Sequence, residues 1–268
     1  MTWASQYGKF GIQAGGEAPY VAPATTKLYL PFDKGPIAGG TPGVAKGGLN
    51  DASRNAHTVT AHGNAAVTTA QAKFGTHSLH LTGDGDYLSL PTHADFDTKT
   101  GADFTFEFWW QTGGTLGNVG PYVGFGINAS LNSEDIMQIG YSVSGDHSKV
   151  YMIMYNGTVD HYAISGAGAL ESDDTWHHYS YNYDHSATTL TIYKDGTSVA
   201  TDSSWDARPT RSGLTRTNTI FIGSTWSTGG GSFVHSAESA YWDDIKFING
   251  AMLRTGNFTA PTAASGEQ

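Results

Sequence analysis

The sequence predicts an all-β fold in which two antiparallel sheets pack as a jelly-roll sandwich. The composition supports this, because the chain has 35 glycines among many Asp, Thr, Ser and aromatic residues, which favour turns and pleated surfaces over helices. From Lys27 onward, alternating apolar runs recur with turn residues between them, which is the spacing of a sandwich or jelly roll. No fixed-period repeat is present, which argues against propellers and solenoids.

Several strands can be located directly from the alternation of side chains. Leu28, Leu30 and Phe32 alternate in the opening strand. In FTFEFWW, from residue 104 to 110, the phenylalanines and Trp110 share one face, and Thr105, Glu107 and Trp109 share the other. These two runs therefore predict two strands, the second with a lone carboxylate opposite its aromatic face.

Later strands are bounded by hairpin signals. The run KVYMIMYN (149–156) is apolar on both faces, as in a central strand, and Asn156-Gly157 predicts a turn into the next strand. Asp195-Gly196 predicts a second hairpin, after a strand at 176–184 that places three tyrosines on one side. The runs TIFIGS and AYWDDIKFI predict the last strands.

Three regions follow from this pattern: an extended N-terminal arm at 1–26, a jelly-roll domain at 27–258 and a C-terminal tail at 259–268. The apolar residues of the arm follow neither the period of a helix nor that of a strand. The arm is nevertheless rich in aromatic and apolar residues, which disordered segments usually lack. We expect it to dock on a partner or on its own domain, the alternative being a frayed terminus. Its candidate anchors are Trp3, Tyr7, Phe10 and Ile12.

Charge and composition exclude several classes of partner and site. A net charge of -10 disfavours nucleic acid and anionic membranes, because affinity for a phosphate backbone depends on basic residues. The absence of cysteine excludes disulfides, thiolate zinc sites and cysteine nucleophiles. Neither a secretory signal nor an apolar run of membrane-spanning length is present, so we expect a protein made in the cytoplasm without membrane insertion.

The order of several segments carries a family resemblance. KFGTHSLHLTGDGDYLSLP is followed by DFTFEFWW, by TWHHYSYNYDHSATTLTIYKDGTSVA, by TIFIGS and by AYWDDIKFING. In this order the chain resembles the laminin-G-like, concanavalin A-like jelly-roll superfamily from about Lys27 to Pro261. The opening LYLPFD and the closing RTGNFTAPT resemble the versions found in bacteriophage structural proteins. A family loop that usually reads Asp-Ser-Ser-Gly-Asn-Gly-His is here residues 51–57, with Arg54 and Ala56 in place of two glycines.

The resemblance implies a structural calcium where the last strand meets the opening strand. Its candidate ligands are Asp33 and Asp243, with help from Asp84 or Asp86, since calcium prefers hard oxygen ligands. The alternation also predicts that Asp243 shares a face with Tyr241, Ile245 and Phe247, where a buried carboxylate needs a partner. In the alternative interpretation, Asp243 caps backbone amides or pairs with Lys27 or Lys34, and GDGD is only a tight turn.

Catalytic patterns are weak. Glycoside hydrolysis needs two carboxyl groups facing one cleft, but Glu134 and Asp135 are adjacent and point oppositely, and Glu107 is alone on its strand. His177 and His178 are also neighbours on opposite faces, which disfavours a shared transition metal. Most in-strand aromatics are expected in the core, so Trp205 and Trp226, in loops, are the candidate glycan-binding residues.

These observations give a first hypothesis: a non-enzymatic bacteriophage virion protein, associated with the capsid or a tail fibre, that displays a jelly-roll adhesion domain. The arm would bind other virion proteins, the loops would bind host or environmental glycans, and the assembly would be a homo-oligomer. The alternative is a free carbohydrate-binding lectin that acts through its concave face, with calcium as a candidate cofactor. A glycoside hydrolase or lyase is disfavoured because the required carboxylate cluster is missing.

Overall fold

Strands dominate the computed structural model, which describes residues 24–33, 48–83, 85–98, 101–112, 120–125, 136–141, 147–155, 160–204, 219–227, 232–235 and 239–264. The arm up to residue 23 lies outside these ranges, so its predicted anchors Trp3, Tyr7, Phe10 and Ile12 are not placed. One short 3-10 helix, Ala94–Phe96, interrupts the strands within these ranges. No helix in this part of the chain is long and apolar enough to cross a membrane.

The first sheet contains both ends of the domain. Within the described ranges its eight strands are β1 (Thr26–Leu30), β3 (Ala66–Thr68), β4 (Ser78–Leu81), β6 (Phe104–Thr112), β11 (His177–Asp184), β12 (Thr189–Lys194), β13 (Thr197–Asp202) and β17 (Ala240–Asn249). Their order is β13-β12-β11-β6-β17-β4-β3, and β1 pairs with β17 on the same side as β4. Long connections between strands that are distant in sequence therefore build this layer, as in a jelly roll.

The second sheet holds the middle of the chain. Its nine strands in the described ranges are β2 (Thr60–His62), β5 (Tyr87–Leu90), β7 (Val123–Phe125), β8 (Ile136–Tyr141), β9 (Val150–Tyr155), β10 (Asp160–Ile164), β14 (Ile220–Ile222), β15 (Ser224–Ser227) and β16 (Ser232–His235). The order β10-β9-β8-β7-β14-β5-β2 is antiparallel throughout, and β15 and β16 form a hairpin beside β7. The all-β, two-sheet jelly roll predicted from the sequence is confirmed.

The core lies between the two sheets and follows the predicted alternation. On the first sheet Phe106 pairs with Tyr181 and Phe108 with Tyr179, all fully buried. The second sheet contributes one continuous inward row across neighbouring strands. That row is Leu88, Ile222, Val123, Ile139, Met152 and Ala163. Because successive strand residues face opposite sides, the rows on either side of each inward row face outward.

The prediction that Asp243 shares a face with Ile245 and Phe247 is wrong, because β17 contains a bulge. Trp242 opposes Trp110 and Asp243 opposes Trp109, but the register then shifts before Lys246 opposes Glu107. Asp244 takes a φ of 47 at this bulge, an uncommon backbone conformation for a residue with a side chain. The extra residue keeps Ile245 and Phe247 in the core and turns Asp243 to the outer face of the first sheet.

The hairpin at Asp195-Gly196 is confirmed, and it supports the chain end. It joins β12 to β13 with φ values of 48 and 81, as a two-residue turn of this type requires. A side chain at Gly196 would lie 1.8 Å from the carbonyl oxygen of Phe258, whose amide donates to the Gly196 carbonyl at 2.9 Å. The last residues described, 251–264, therefore pack on the outer face of the first sheet, where Ala264 is buried beside Trp109.

Candidate functional site

The turn at residues 73–77 brings two of the predicted calcium ligands together. Asp243 accepts hydrogen bonds from the amides of Lys73 (2.9 Å) and Phe74 (3.1 Å), and Asp33 accepts from those of Thr76 (2.7 Å) and His77 (3.1 Å). This geometry is possible because β1 and β4 pair with different ends of β17, which leaves Asp243 free to reach the turn before β4. The structure thus shows Asp243 capping backbone amides, which was the alternative interpretation.

Asp86 has a separate role. Its buried carboxylate accepts from the amide of Asn64 (2.6 Å) and from the amide (2.8 Å) and hydroxyl (2.6 Å) of Thr82. Burial opposes ionisation of Asp86, but these hydrogen bonds outweigh it and lower its pKa. Asp86 therefore ties two loops together, and Asp84 lies outside the described residues. Calcium at these aspartates stays a prediction.

The predicted glycan-binding tryptophans are only partly placed. Trp205 lies outside the described residues, and so do Glu134 and Asp135. Trp226 belongs to β15, on a strand and not in the loop that the sequence predicted, because residues 224–227 pair with 232–235. Their role in glycan binding stays a prediction.

A buried ionic network occupies the outer face of the first sheet. At its centre is Glu107, which is fully buried and contacts Lys246 Nζ at 2.5 Å and Arg254 Nη2 at 3.2 Å. His178 Nε2 lies 3.7 Å from the same carboxylate, and the Ser180 hydroxyl donates to it at 3.3 Å. The Arg254 guanidinium lies 4.4 Å from the Phe258 ring centroid, so the chain end covers the network.

The network fixes the protonation of its members. Burial opposes the charge on Glu107, but Lys246, His178 and Arg254 outweigh it and lower its pKa to about 2. Burial also lowers the pKa of His178 to about 4, against the attraction of Glu107. At neutral pH Glu107 is thus an enclosed, ionised carboxylate, which cannot donate a proton to a substrate as a hydrolase acid must.

Sequence reasoning found Glu107 but missed Lys246 and Arg254. One usable signal was present: a single Glu on a strand rich in Phe and Trp predicts burial, and a buried carboxylate needs a cation. The identity of the cation could not be read, because the register between β6 and β17 depends on the bulge at Asp244.

An aromatic face covers the outer side of the second sheet. At one end the His62 and Tyr87 rings stack at 4.2 Å, and Tyr87 lies 5.9 Å from Phe221. At the other end Tyr162 and Ile164 are 45% and 47% exposed, among the most exposed large hydrophobic residues that the structure describes. We define the aromatic face as His62, Tyr87, Ser89, Tyr151, Ile153, Tyr162, Ile164 and Phe221.

Registered strand pairs place these residues on one side of the second sheet. One outward row runs across the strands from Ser89 through Phe221 and Gly124 to Gln138, and continues through Ile153 to Tyr162. The His62 ring contacts the Ser89 hydroxyl at 2.8 Å, so polar groups lie among the rings. Gly124 leaves the middle of the row without a side chain. Gly124 and Gln138 are buried, so the accessible part of the face consists of apolar and aromatic side chains towards its two ends, with polar groups among them.

Two histidine and carboxylate clusters also lie at the surface. His57, His93 and Asp95 place possible ligand atoms within 4.8 Å of one another, and so do Glu171, Asp173 and His177. His177 and His178 face opposite sides, as predicted, since they oppose Trp110 and Trp109 respectively. The hydrogen bond that His177 Nδ1 donates to Asp195 raises the pKa of His177 against the effect of burial.

Comparisons with known proteins agree with this architecture. Residues 82–256, more than half of the chain, match the family described as the Concanavalin A-like lectin/glucanases superfamily. A search of curated proteins found no match.

Similar solved structures are binding domains of clostridial toxins. The receptor-binding domain of botulinum neurotoxin C/D mosaic serotype aligns with a TM-score of 0.56 at 12% identity, over 88% of this chain and 49% of that domain. The binding domain of Paraclostridial Mosquitocidal Protein 1 aligns with a TM-score of 0.58 at 12% identity, over 86% of this chain and 50% of that domain. The binding domain of botulinum neurotoxin DC, solved in complex with rat synaptotagmin II, aligns with a TM-score of 0.54 at 14% identity. The alignment covers 84% of this chain and 48% of that domain. This chain therefore spans about half the length of these domains, and the likeness concerns the fold.

Proposed function

Because the chain belongs to the Concanavalin A-like lectin/glucanases superfamily, we propose that it is a non-enzymatic adhesion protein of a bacteriophage virion that binds surface glycans through the aromatic face. The virion assignment is supported by the likeness of its opening and closing segments, LYLPFD and RTGNFTAPT, to bacteriophage structural proteins. The binding assignment is supported by the aromatic face itself, which is the observation that carries the proposal.

The chemistry of that face suits sugars. A pyranose ring offers an apolar side, which packs on flat aromatic rings, and a rim of hydroxyl groups, which need hydrogen-bonding partners. Tyr87 and Phe221 supply rings at one end of the face, and Ser89, which pairs with Phe221 in the outward row, supplies a polar group. The related toxin domains suggest that this fold is suited to presenting a receptor-binding surface, although their ligands belong to those proteins.

Binding is favoured over hydrolysis by the state of Glu107. Both of its oxygens are held by cations, its side chain is fully buried, and its pKa is about 2. A glycosidase needs an accessible carboxylic acid with a raised pKa beside a second carboxylate. The described part of the first sheet offers Glu107 neither access nor that pKa.

Replacing Tyr87 and Phe221 with alanine should weaken glycan binding by about tenfold each, because each ring contributes stacking of roughly 1 kcal/mol or more. The wild-type chain would first be screened on a glycan array, and affinities for any hit would be measured by calorimetry. Leu253→Ala is the matched control, since Leu253 is 44% exposed but lies outside the aromatic face. An array without hits, or equal losses in the control, would contradict glycan binding by this face.

The virion assignment has its own test. Mass spectrometry of purified particles should detect the chain as a stoichiometric component, and deletion of residues 1–25 should abolish incorporation while the domain stays folded. If the chain is absent from particles but still binds glycans, the alternative of a free lectin replaces the virion role. Repeating the binding assay with and without calcium then tests whether that lectin depends on the ion.

A further inference from the structure

We propose that His57, His93 and Asp95 form a zinc site at the surface, a function separate from the proposed glycan binding. The three residues come from two segments, the loop at 51–57 and the 3-10 turn at 93–97. Two imidazoles with one carboxylate form a ligand set that suits Zn²⁺ and other divalent transition metals, and not calcium, which prefers oxygen ligands alone.

The distances between the ligand atoms fit this ion. His57 Nε2 and His93 Nδ1 lie 3.0 Å and 3.1 Å from Asp95 Oδ2, and the two rings are 4.6 Å apart. With zinc bonds of 2.0 to 2.1 Å, ligand atoms at neighbouring corners of a tetrahedron are about 3.3 Å apart. Small side-chain movements would therefore bring all three atoms to one ion, with the fourth position open to water beside the half-exposed His93.

An electrostatic conflict at Asp95 points to a cation. The amide of Asp95 donates to His93 Nδ1 at 3.1 Å, which requires a lone pair on that nitrogen. The same nitrogen also lies 3.1 Å from Asp95 Oδ2, where two lone pairs would face each other. Protonating Nδ1 would remove this repulsion but lose the bond from the amide. A metal ion bound by both atoms would also remove the repulsion, and like the proton it would take the lone pair that accepts the Asp95 amide.

Both segments are held in place independently of the ligands. Asp51 is buried and accepts hydrogen bonds from the amides of Tyr29 (3.0 Å), Ser53 (2.8 Å) and His57 (2.8 Å), which fixes the loop. Asn249, the last residue of β17, donates to the carbonyls of Asp95 and Asp97, which fixes the 3-10 turn. A site supported in this way needs little reorganisation to bind an ion.

The loop also departs from its family pattern at a strained position. Ala56, which stands where the family loop has glycine, has a φ of 47. Ala56 therefore has a left-handed backbone conformation immediately before the proposed ligand His57. Such strain persists where surrounding contacts fix the backbone, and here the Asp51 hydrogen bonds do so.

Neighbouring groups already contact both oxygens of the Asp95 carboxylate. Lys27 Nζ lies 3.6 Å from Asp95 Oδ1, the other oxygen of the carboxylate. Asn55 Nδ2 donates to Oδ2 and would have to yield to the ion. The second cluster is less suitable, because Lys194 Nζ holds Glu171 at 2.7 Å and both nitrogens of His177 are engaged by Asp195 and Asp173.

The test is zinc binding by the full chain, measured by calorimetry and by metal content after dialysis. We expect one zinc per chain, and His93→Asn should weaken the affinity by about tenfold or more, because it removes one ligand. Asparagine can still accept the Asp95 amide as an N-cap, so the turn should survive. His77→Asn, at a histidine on the 73–77 turn, is the matched control and should leave zinc affinity unchanged.

Further outcomes separate this site from others. His177→Asn should have no effect; if it abolishes binding while His93→Asn does not, the second cluster binds the metal and the proposal is wrong. Absence of zinc binding by the wild-type chain would equally overturn it.

Discussion

Lys246→Met is expected to lower the free energy of unfolding by about 3 to 5 kcal/mol, because it leaves a buried carboxylate without its closest cation. Glu107 has no solvent exposure, and His178, with its pKa of about 4, is neutral at pH 7. Arg254 remains as a counter-ion at 3.2 Å, but its own side chain is partly exposed. Urea denaturation of the variant and the wild type measures the difference.

Two further variants test the cause of that loss. Lys194→Met removes a strand lysine whose partner, Glu171, is 45% exposed, so it should cost under about 1 kcal/mol. The double variant Glu107→Leu/Lys246→Met should be more stable than Lys246→Met alone, because it removes the stranded charge as well. A double variant less stable than the single one would mean that the uncompensated charge of Glu107 does not explain the loss.

Asp243 is expected to lower the free energy of unfolding by up to about 4 kcal/mol as pH rises from about 4 to 7. His178, whose pKa is lowered to about 4, acts in the opposite direction over this range, so the effect of Asp243 is read from a comparison with a variant. Burial raises the pKa of Asp243 from 3.8 to about 7, although three backbone amides favour its charged form. An acid whose pKa is higher in the folded chain releases its proton on unfolding in this range. Its contribution is therefore present at low pH and lost as pH passes the folded value.

Asp243→Asn provides the comparison, because asparagine does not titrate. The difference in unfolding free energy between wild type and variant isolates this residue from His177, whose raised pKa also removes stability as pH increases. Equal pH slopes in both proteins would refute the assignment. Adding calcium to the wild type tests the predicted ligand role, since a bound cation would favour the carboxylate and flatten the slope.

Residues with a clear alternation were placed correctly by the sequence. Phe104, Phe106 and Phe108 lie in the core, and Glu107 and Trp109 lie on the opposite face, because side-chain direction within one strand depends only on the period of two. The same rule failed at Asp243. One added residue at Asp244 reverses every side chain after it, and a local pattern does not reveal a bulge.

For the candidate sites, too, the sequence predicted the side chains but not their partners. The sequence shows that Asp33, Asp243 and Glu107 are carboxylates in or beside strands, and that their burial would require partners. It could not show that the partners of Asp243 and Asp33 are amides of a single turn, nor that Glu107 contacts Lys246 and Arg254, 139 and 147 positions away. Those partners depend on which strands are neighbours.

The sequence by itself therefore determined the class of fold, the strands with clear alternation, the hairpin turn at Asp195-Gly196 and the superfamily. Only the tertiary structure decided the rest: the ionic network around Glu107, the aromatic face of the second sheet and the meeting of His57 with His93 and Asp95. The physical reason is that periodicity and turn preference are local properties of the backbone. Partners across a sheet depend on strand order and register, which arise when the whole chain buries its core.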